Sequence, residues 1–176
     1  AKLCNLVNSN KNFRKNIAIT LGSTRSPIDN VRYIQNLSSG KTGWALSEYL
    51  YRDGHKITCI VGNTTNNPKF PLSNIQNCPT PVQMLDSCKA IALSKNPPNV
   101  WIHAAAVLDY TATKENKKIP SGKRVWPVSL IPTVKHISEL TPYIGDAIRI
   151  GFKLESNIIK DELIDIAKTQ LNNYDL

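Results

Sequence analysis

Short apolar runs alternate along this chain with longer amphipathic ones. NIAITL (16–21), KITCIV (56–61) and NVWIH (99–103) are rich in β-branched residues and poor in polar positions, the pattern of strands buried on both faces. Between the first two, GKTGWALSEYLYRDG puts Ala45, Leu46, Tyr49 and Leu50 on one helical stripe, with Ser47, Glu48 and Arg52 elsewhere and Gly54 as the stop. PVQMLDSCKAIALSKN predicts a second helix with Pro81 in its first turn. The pattern further predicts a short strand near Ile75, a strand over 125–131, a short helix over 134–140 and a strand over 147–152. A last helix over about 157–172 would bury Ile159, Leu163, Ile166, Ala167 and Leu171. Such alternation requires right-handed crossovers and a mainly parallel sheet covered on both faces, a three-layer Rossmann-like α/β domain. Residues 1–15, free of acid and without periodicity, read as a basic N-terminal tail, and residues 16–176 as the domain.

At 176 residues and 41% hydrophobic positions the chain can bury a core without disulfides or metals. Its four cysteines, Cys4, Cys59, Cys78 and Cys88, form no C-x-x-C pair and read as isolated thiols. No apolar run is long enough to cross a bilayer and the basic start has no apolar segment behind it. A soluble, cytoplasmic protein is expected, with an organellar location left open. The net charge of +9 is uneven: residues 1–138 hold 18 basic and 6 acidic residues, and residues 139–176 hold 4 and 7. The basic part should face an anion: a nucleoside triphosphate, a phosphorylated metabolite, RNA or an acidic partner protein. Nothing specific supports nucleic acid beyond the charge.

Two segments suggest where that anion sits. Gly22, Ser23, Thr24 and Arg25 leave the first strand at its carboxyl end, and Ser38, Ser39, Gly40 and Lys41 open the first helix, where free amides and the macrodipole attract phosphate. The eighteen residues from Gly22 to Ser39 form an unusually long connection for a βα unit. A P-loop would require glycine at position 35, which is Gln35, and the dinucleotide glycine fingerprint is absent, so a Rossmann oxidoreductase is disfavoured.

The run ITLGSTRSPIDNVRYIQNLSSGKTGWAL resembles the opening of the phosphopantothenoylcysteine synthetase family, close to T-x-G-G-T-x-E-x-I-D-x-V-R-x-I-x-N-x-S-S-G-x-x-G. HAAAVLDY, followed by Lys118-Ile119, is similar to the family's A-A-V-x-D-Y strand end and later Lys-Ile, and GFKLE (151–155) to a G-F-K-x-E late strand. The three motifs keep their order over residues 16–176. Leu21, Ser23 and Ser26 depart from the small residue, second glycine and acid usual there.

The resemblance implies a ligase that joins 4'-phosphopantothenate to cysteine through an acyl-nucleotidylate, using CTP or ATP with Mg²⁺, in coenzyme A biosynthesis. It implies that Asn36 handles the acyl intermediate, that Lys118 assists nucleotidylate formation, and that Ala105, Asp109 and Phe152 meet the nucleotide, Asp109 as the weak candidate for a cation. Arg25 and Arg32 are candidate phosphate clamps, His103 reads as part of its strand, and His55 and His136 have no assigned role. The family's text continues past the position of Leu176 through a strand and a flap. A homodimer, or a complementary chain supplying the flap, is the implied assembly. The alternative is a non-catalytic nucleotide-binding or interaction subunit built on the same fold.

Overall fold

Five parallel strands make the central sheet, in the order β5 (Ile75–Asn77), β4 (Lys56–Val61), β1 (Asn16–Leu21), β6 (Val100–His103) and β9 (Ile148–Gly151). The computed structural model describes residues 1–10, 12–122, 124–174 and 176. Side chains alternate across the strands. Ile17, Ile19, Leu21, Ile57, Cys59 and Val61 therefore meet Trp44 of α2 (Lys41–Arg52) on one face. Ala18, Ile60 and Trp101 meet Met84, Leu85 and Cys88 of α3 (Pro81–Ala92) on the other, with Leu140 and with Ile144 of α5 (Thr141–Ile144). The three-layer Rossmann-like arrangement holds. Because β4 and β6 flank β1 on opposite sides, the chain reverses direction there, and a crevice opens at the carboxyl ends of β1 and β6, where sheets of this kind bind ligands.

Local readings change in several places. The segment expected as a tail contains helix α1 (Lys2–Asn8), anchored by its side-chain amides. Asn5 is buried and donates to the carbonyls of Tyr51 and His55, and Asn8 donates to Arg52 O at 2.8 Å, so α1 satisfies carbonyls at the end of α2. The long connection folds into an antiparallel hairpin, β2 (Arg25–Pro27) with β3 (Tyr33–Gln35). A second hairpin pairs β7 (Tyr110–Ala112) with β8 (Leu130–Pro132), so the strand expected over 125–131 starts late and stands apart from the main sheet. Ser26 joins the hairpins: its hydroxyl bonds to that of Thr111 and accepts from Ala112 N at 2.9 Å.

The buried face of α2 is also rotated from the expected one. Gly43, Trp44, Ser47 and Glu48 are buried, whereas Ala45 and Tyr49 are exposed and Leu46 and Leu50 are half-buried. The cause is a close approach: a Cβ on Gly43 would lie 2.2 Å from Leu21 Cβ. The buried polar groups find partners, Ser47 Oγ donating to Gly43 O and the Glu48 carboxylate accepting from Lys69 N. The short helix expected over 134–140 is α4 (His136–Glu139), followed by α5. The last helix, α6 (Lys160–Tyr174), begins later than expected and buries no residue fully; Leu163, Ile166 and Ala167 are half-buried, while Ile159 and Leu171 are exposed.

Candidate functional site

The turn after β1 lines the crevice with its back to the protein. Gly22 has φ +77°, and a Cβ there would meet Asn63 O and Thr64 Cγ2 at 2.7 Å. Ser23 and Thr24 are fully buried, and their amides donate to Asn63 O and Ala106 O at 2.9 and 3.2 Å, while Arg25 N donates to Pro79 O. Ser23 Oγ accepts from Gln35 Nε2, and Thr24 Oγ1 from Leu108 N. These donors are taken up inside the fold, so Ser23 and Thr24 shape the crevice from behind. Arg25 stacks over Tyr33 at 5.2 Å.

The start of α2 is different. Its cap residue, Gly40, has φ +76° and no side chain to cap with, and Ser39 Oγ accepts from Lys41 N at 3.3 Å. A Cβ on Gly40 would sit 2.5 Å from Thr64 Cγ2, so both glycine turns press against one residue at the end of β4. Ser39 O accepts from Thr65 and Asn66, which pins the approach to the helix. Lys41 is exposed beside the first turn. Helix amides, a partial positive end and a lysine together can hold a phosphate.

Asn36 joins that turn to the chain leaving β6. Its Nδ2 donates to Ala106 O at 3.3 Å and to Val107 O at 3.2 Å. Two carbonyls fix the amide's orientation, so the side chain offers its Oδ1 acceptor to a ligand. Ala104, Ala105 and Ala106 run beside the end of β1 and bond to Thr20 and Gly22, which places Ala105 at the crevice floor.

Lys118 stands elsewhere. Its segment is tied to the tip of the β2–β3 hairpin: Ile119 N donates to Asp29 Oδ2 at 3.1 Å, Arg32 donates to Ile119 O at 3.0 Å, and Glu115 N donates to Ile28 O. Asn36 follows the base of that hairpin, roughly 10 Å away at three strand residues. Lys118 is thus placed beside the hairpin tip and Asn36 just past its base. Asp29, which the sequence reading did not single out, is the hub of the tip. Burial would raise its carboxyl, but bonds from Val31, Ile119 and Arg32 amides and the charge of Arg32 at 3.3 Å hold it below the ordinary aspartate value. Arg32 lies over Trp126 at 4.7 Å and is committed to the hairpin rather than to the crevice. The visible signal was one acid amid an otherwise basic stretch.

On the α3 face the crevice widens into a cavity of about 560 Å³, lined among others by Ala105, Asp109, His103, His136, Arg149 and Phe152. Asp109 is exposed and pairs with Lys135 at 2.9 Å, and Phe152 presents an exposed ring just past β9. His103 and His136 each keep a buried Nε2 without a hydrogen-bond partner. Both rings are pushed down to about 4. For His103 the cause is burial, then the charge of Arg149 and the neighbouring His136. For His136 it is burial, opposed by a hydrogen bond to the Pro81 carbonyl and by Glu139, and reinforced by Lys135 and Lys89. Among the described residues no group of three histidines, cysteines or acids is arranged to hold a metal. No helix among them is long and apolar enough to cross a membrane.

Comparison with known proteins bears on this geometry. The chain is 34% identical over 169 residues to the coenzyme A biosynthesis bifunctional protein CoaBC of Methanocaldococcus jannaschii, covering 96% of this chain and 40% of that one. It is 32% identical to the Escherichia coli K12 protein of the same name, covering 83% and 36%. It thus spans about two fifths of the length of these relatives. The DNA/pantothenate metabolism flavoprotein from Streptococcus pneumoniae superposes with a TM-score of 0.81 at 28% identity, over 92% of this chain and 79% of that one. A Cab2 variant solved with phosphopantothenate-cysteine shares the fold, with a TM-score of 0.67 at 21% identity over 99% of this chain and 74% of that one. With residues 13–176 matching the model of the DNA/pantothenate metabolism flavoprotein C-terminal domain, this chain belongs to that family.

Proposed function

We propose that this chain carries the ligase activity that joins 4'-phosphopantothenate to cysteine through an acyl-nucleotidylate, with CTP or ATP as the activating nucleotide. The observation that supports it most is the placement of Asn36 just before the start of α2 and against Ala106 and Val107, which line the cavity at the reversal point of the sheet. The compound held by the Cab2 variant is the product such a reaction would give.

In the first step a carboxylate oxygen of phosphopantothenate bonds to the α-phosphorus and pyrophosphate leaves. In the second the cysteine amine bonds to the acyl carbon, the nucleoside monophosphate leaves, and the amine loses a proton. The amides opening α2, with Lys41, would hold phosphate oxygens and offset their charge. Asn36 Oδ1 would accept from the incoming amine, while its Nδ2, spent on Ala106 and Val107, aims it. Phe152 would lie against the base. Asp109, the carboxylate that lines the cavity among the described residues, would help to hold Mg²⁺ on leaving Lys135, and the ion would offset charge on the phosphates. Lys118, beside the hairpin tip, would act as a point charge on the transferring phosphate.

The test is to supply phosphopantothenate, cysteine, Mg²⁺ and either nucleotide and to follow pyrophosphate. Release that requires both substrates is expected. Nucleotide binding without release would replace this reading with the non-catalytic subunit.

A further inference from the structure

The opposite end of the sheet carries a second concentration of charge. At the amino ends of β1, β4 and β6 a recess of about 530 Å³ is lined by Arg14, Lys15, Lys56 and Lys95 and, among the described residues, by no acid. Among those residues none of the four cations pairs with a carboxylate, and Asp53, in the turn before β4, pairs with His55 at 3.4 Å. Parallel pairing sets the spacing. Asn16 lies opposite Lys56, and Asn99 N donates to Asn16 O on the other side, so the chains entering β4 and β6 stand about 10 Å apart with Lys15 on the chain between them. The floor is tied down: Lys56 N donates to Lys15 O at 2.9 Å, Asn16 N to Asn99 Oδ1 at 3.1 Å, and Asn16 Nδ2 to Asn96 O at 2.7 Å. The last two bonds fix the loop that carries Lys95 against the chain that carries Arg14 and Lys15. Holding four like charges around one small recess raises the energy of the folded chain, and an anion placed among them recovers it.

We propose that this recess is an anion site separate from the crevice, and that it takes a compact polyphosphate of two or three linked phosphate groups. Four positive charges match such an anion, whereas a lone carboxylate would leave most of them unanswered. Spread over about 10 Å, the cations also suit a chain of phosphates better than a single one. A nucleic-acid backbone is made of phosphates too, but its charges follow one another over many nucleotides, while the cations of the recess are confined to the ends of three neighbouring strands. The site does not depend on the ligase reading. The six residues of β1 hold it about 20 Å from the turn at Gly22, on the far side of the sheet's length.

The experiment titrates inorganic tripolyphosphate into the full chain and follows backbone amide chemical shifts. Saturable shifts are expected at Lys15, Asn16, Lys56, Lys95, Asn96 and Asn99, apart from any at the start of α2. Combining K15Q, K56Q and K95Q removes three exposed charges, so the thermal midpoint should hold while the affinity read at those amides falls about tenfold or more, the worth of three exposed ion pairs. Arginine at the same three positions keeps the charge and should leave the affinity within about threefold of the original. K41Q, at the other end of the sheet, should not change it. Shifts that fail to saturate at these amides overturn the inference, as does an unchanged affinity in the folded triple glutamine variant. Orthophosphate binding as tightly as tripolyphosphate overturns the requirement for linked phosphates. A single-stranded RNA that binds through the same amides more tightly than tripolyphosphate gives the surface to nucleic acid and overturns the compact ligand.

Discussion

At Asn36 the side-chain NH2 is spent on two carbonyls, which leaves the oxygen as the acceptor proposed for the ligand. Replacing it with alanine should lower ligation about a hundredfold or more, with a small change in thermal midpoint, because the group acts on the ligand rather than on the core. Gly43 makes the opposite case. A Cβ there would overlap Leu21, so Gly43→Ala should destabilise the fold by about 2 kcal/mol or more, read as a lower urea midpoint, although alanine favours helix. Thiol chemistry separates the cysteines. Cys4 is exposed, whereas Cys59 and Cys88 are pushed up by burial to about 11 and about 12, and Cys78 is buried. Iodoacetamide on the native protein should add one label, at Cys4, and four after unfolding.

Elements differ in how plainly the sequence announces them. β1, β4 and β6 are legible because a strand covered on both faces needs an apolar side chain at nearly every position. The face of α2 is misread because Gly43 is blank to a hydrophobicity pattern, while Ser47 and Glu48 look like solvent residues until Gly43 O and Lys69 N appear as partners. Strands of three residues carry little periodicity, which hid β2, β3 and β7 and so the two hairpins, although β5 near Ile75 and part of β8 were legible. Their coupling rests on Asp29. Asp29→Asn keeps the size but loses the charge that Arg32 and three amides share, so the segment over 113–122 should lose hydrogen-exchange protection while the central sheet keeps its own. The candidate site is legible in part for the same reason. Gly22, Gly40 and Asn36 advertise turns, whereas His103 and His136, far apart in sequence, become neighbours only in the fold.

Across the whole molecule, His103 and His136 make stability depend on pH. Each binds a proton near pH 6.5 when unfolded and only near pH 4 when folded. The unfolded chain therefore takes up more protons between those values, so stability is full above about pH 6.5 and falls as pH drops toward 4, by a few kcal/mol in order of magnitude. Thermal melts from pH 7.5 to 4.5 should show this fall, and H136Q should flatten it in part.

A longer-range dependence follows from the way α1 sits on the far end of α2. The twelve residues of α2 span about 18 Å, with Asn5 and Asn8 holding the carbonyls at one end and the phosphate-ready amides at the other. Deleting residues 1–9 would strip those carbonyls of their donors and let the helix fray from behind. A truncation chosen to trim an apparently dispensable leader would thus loosen substrate affinity at a site it never touches.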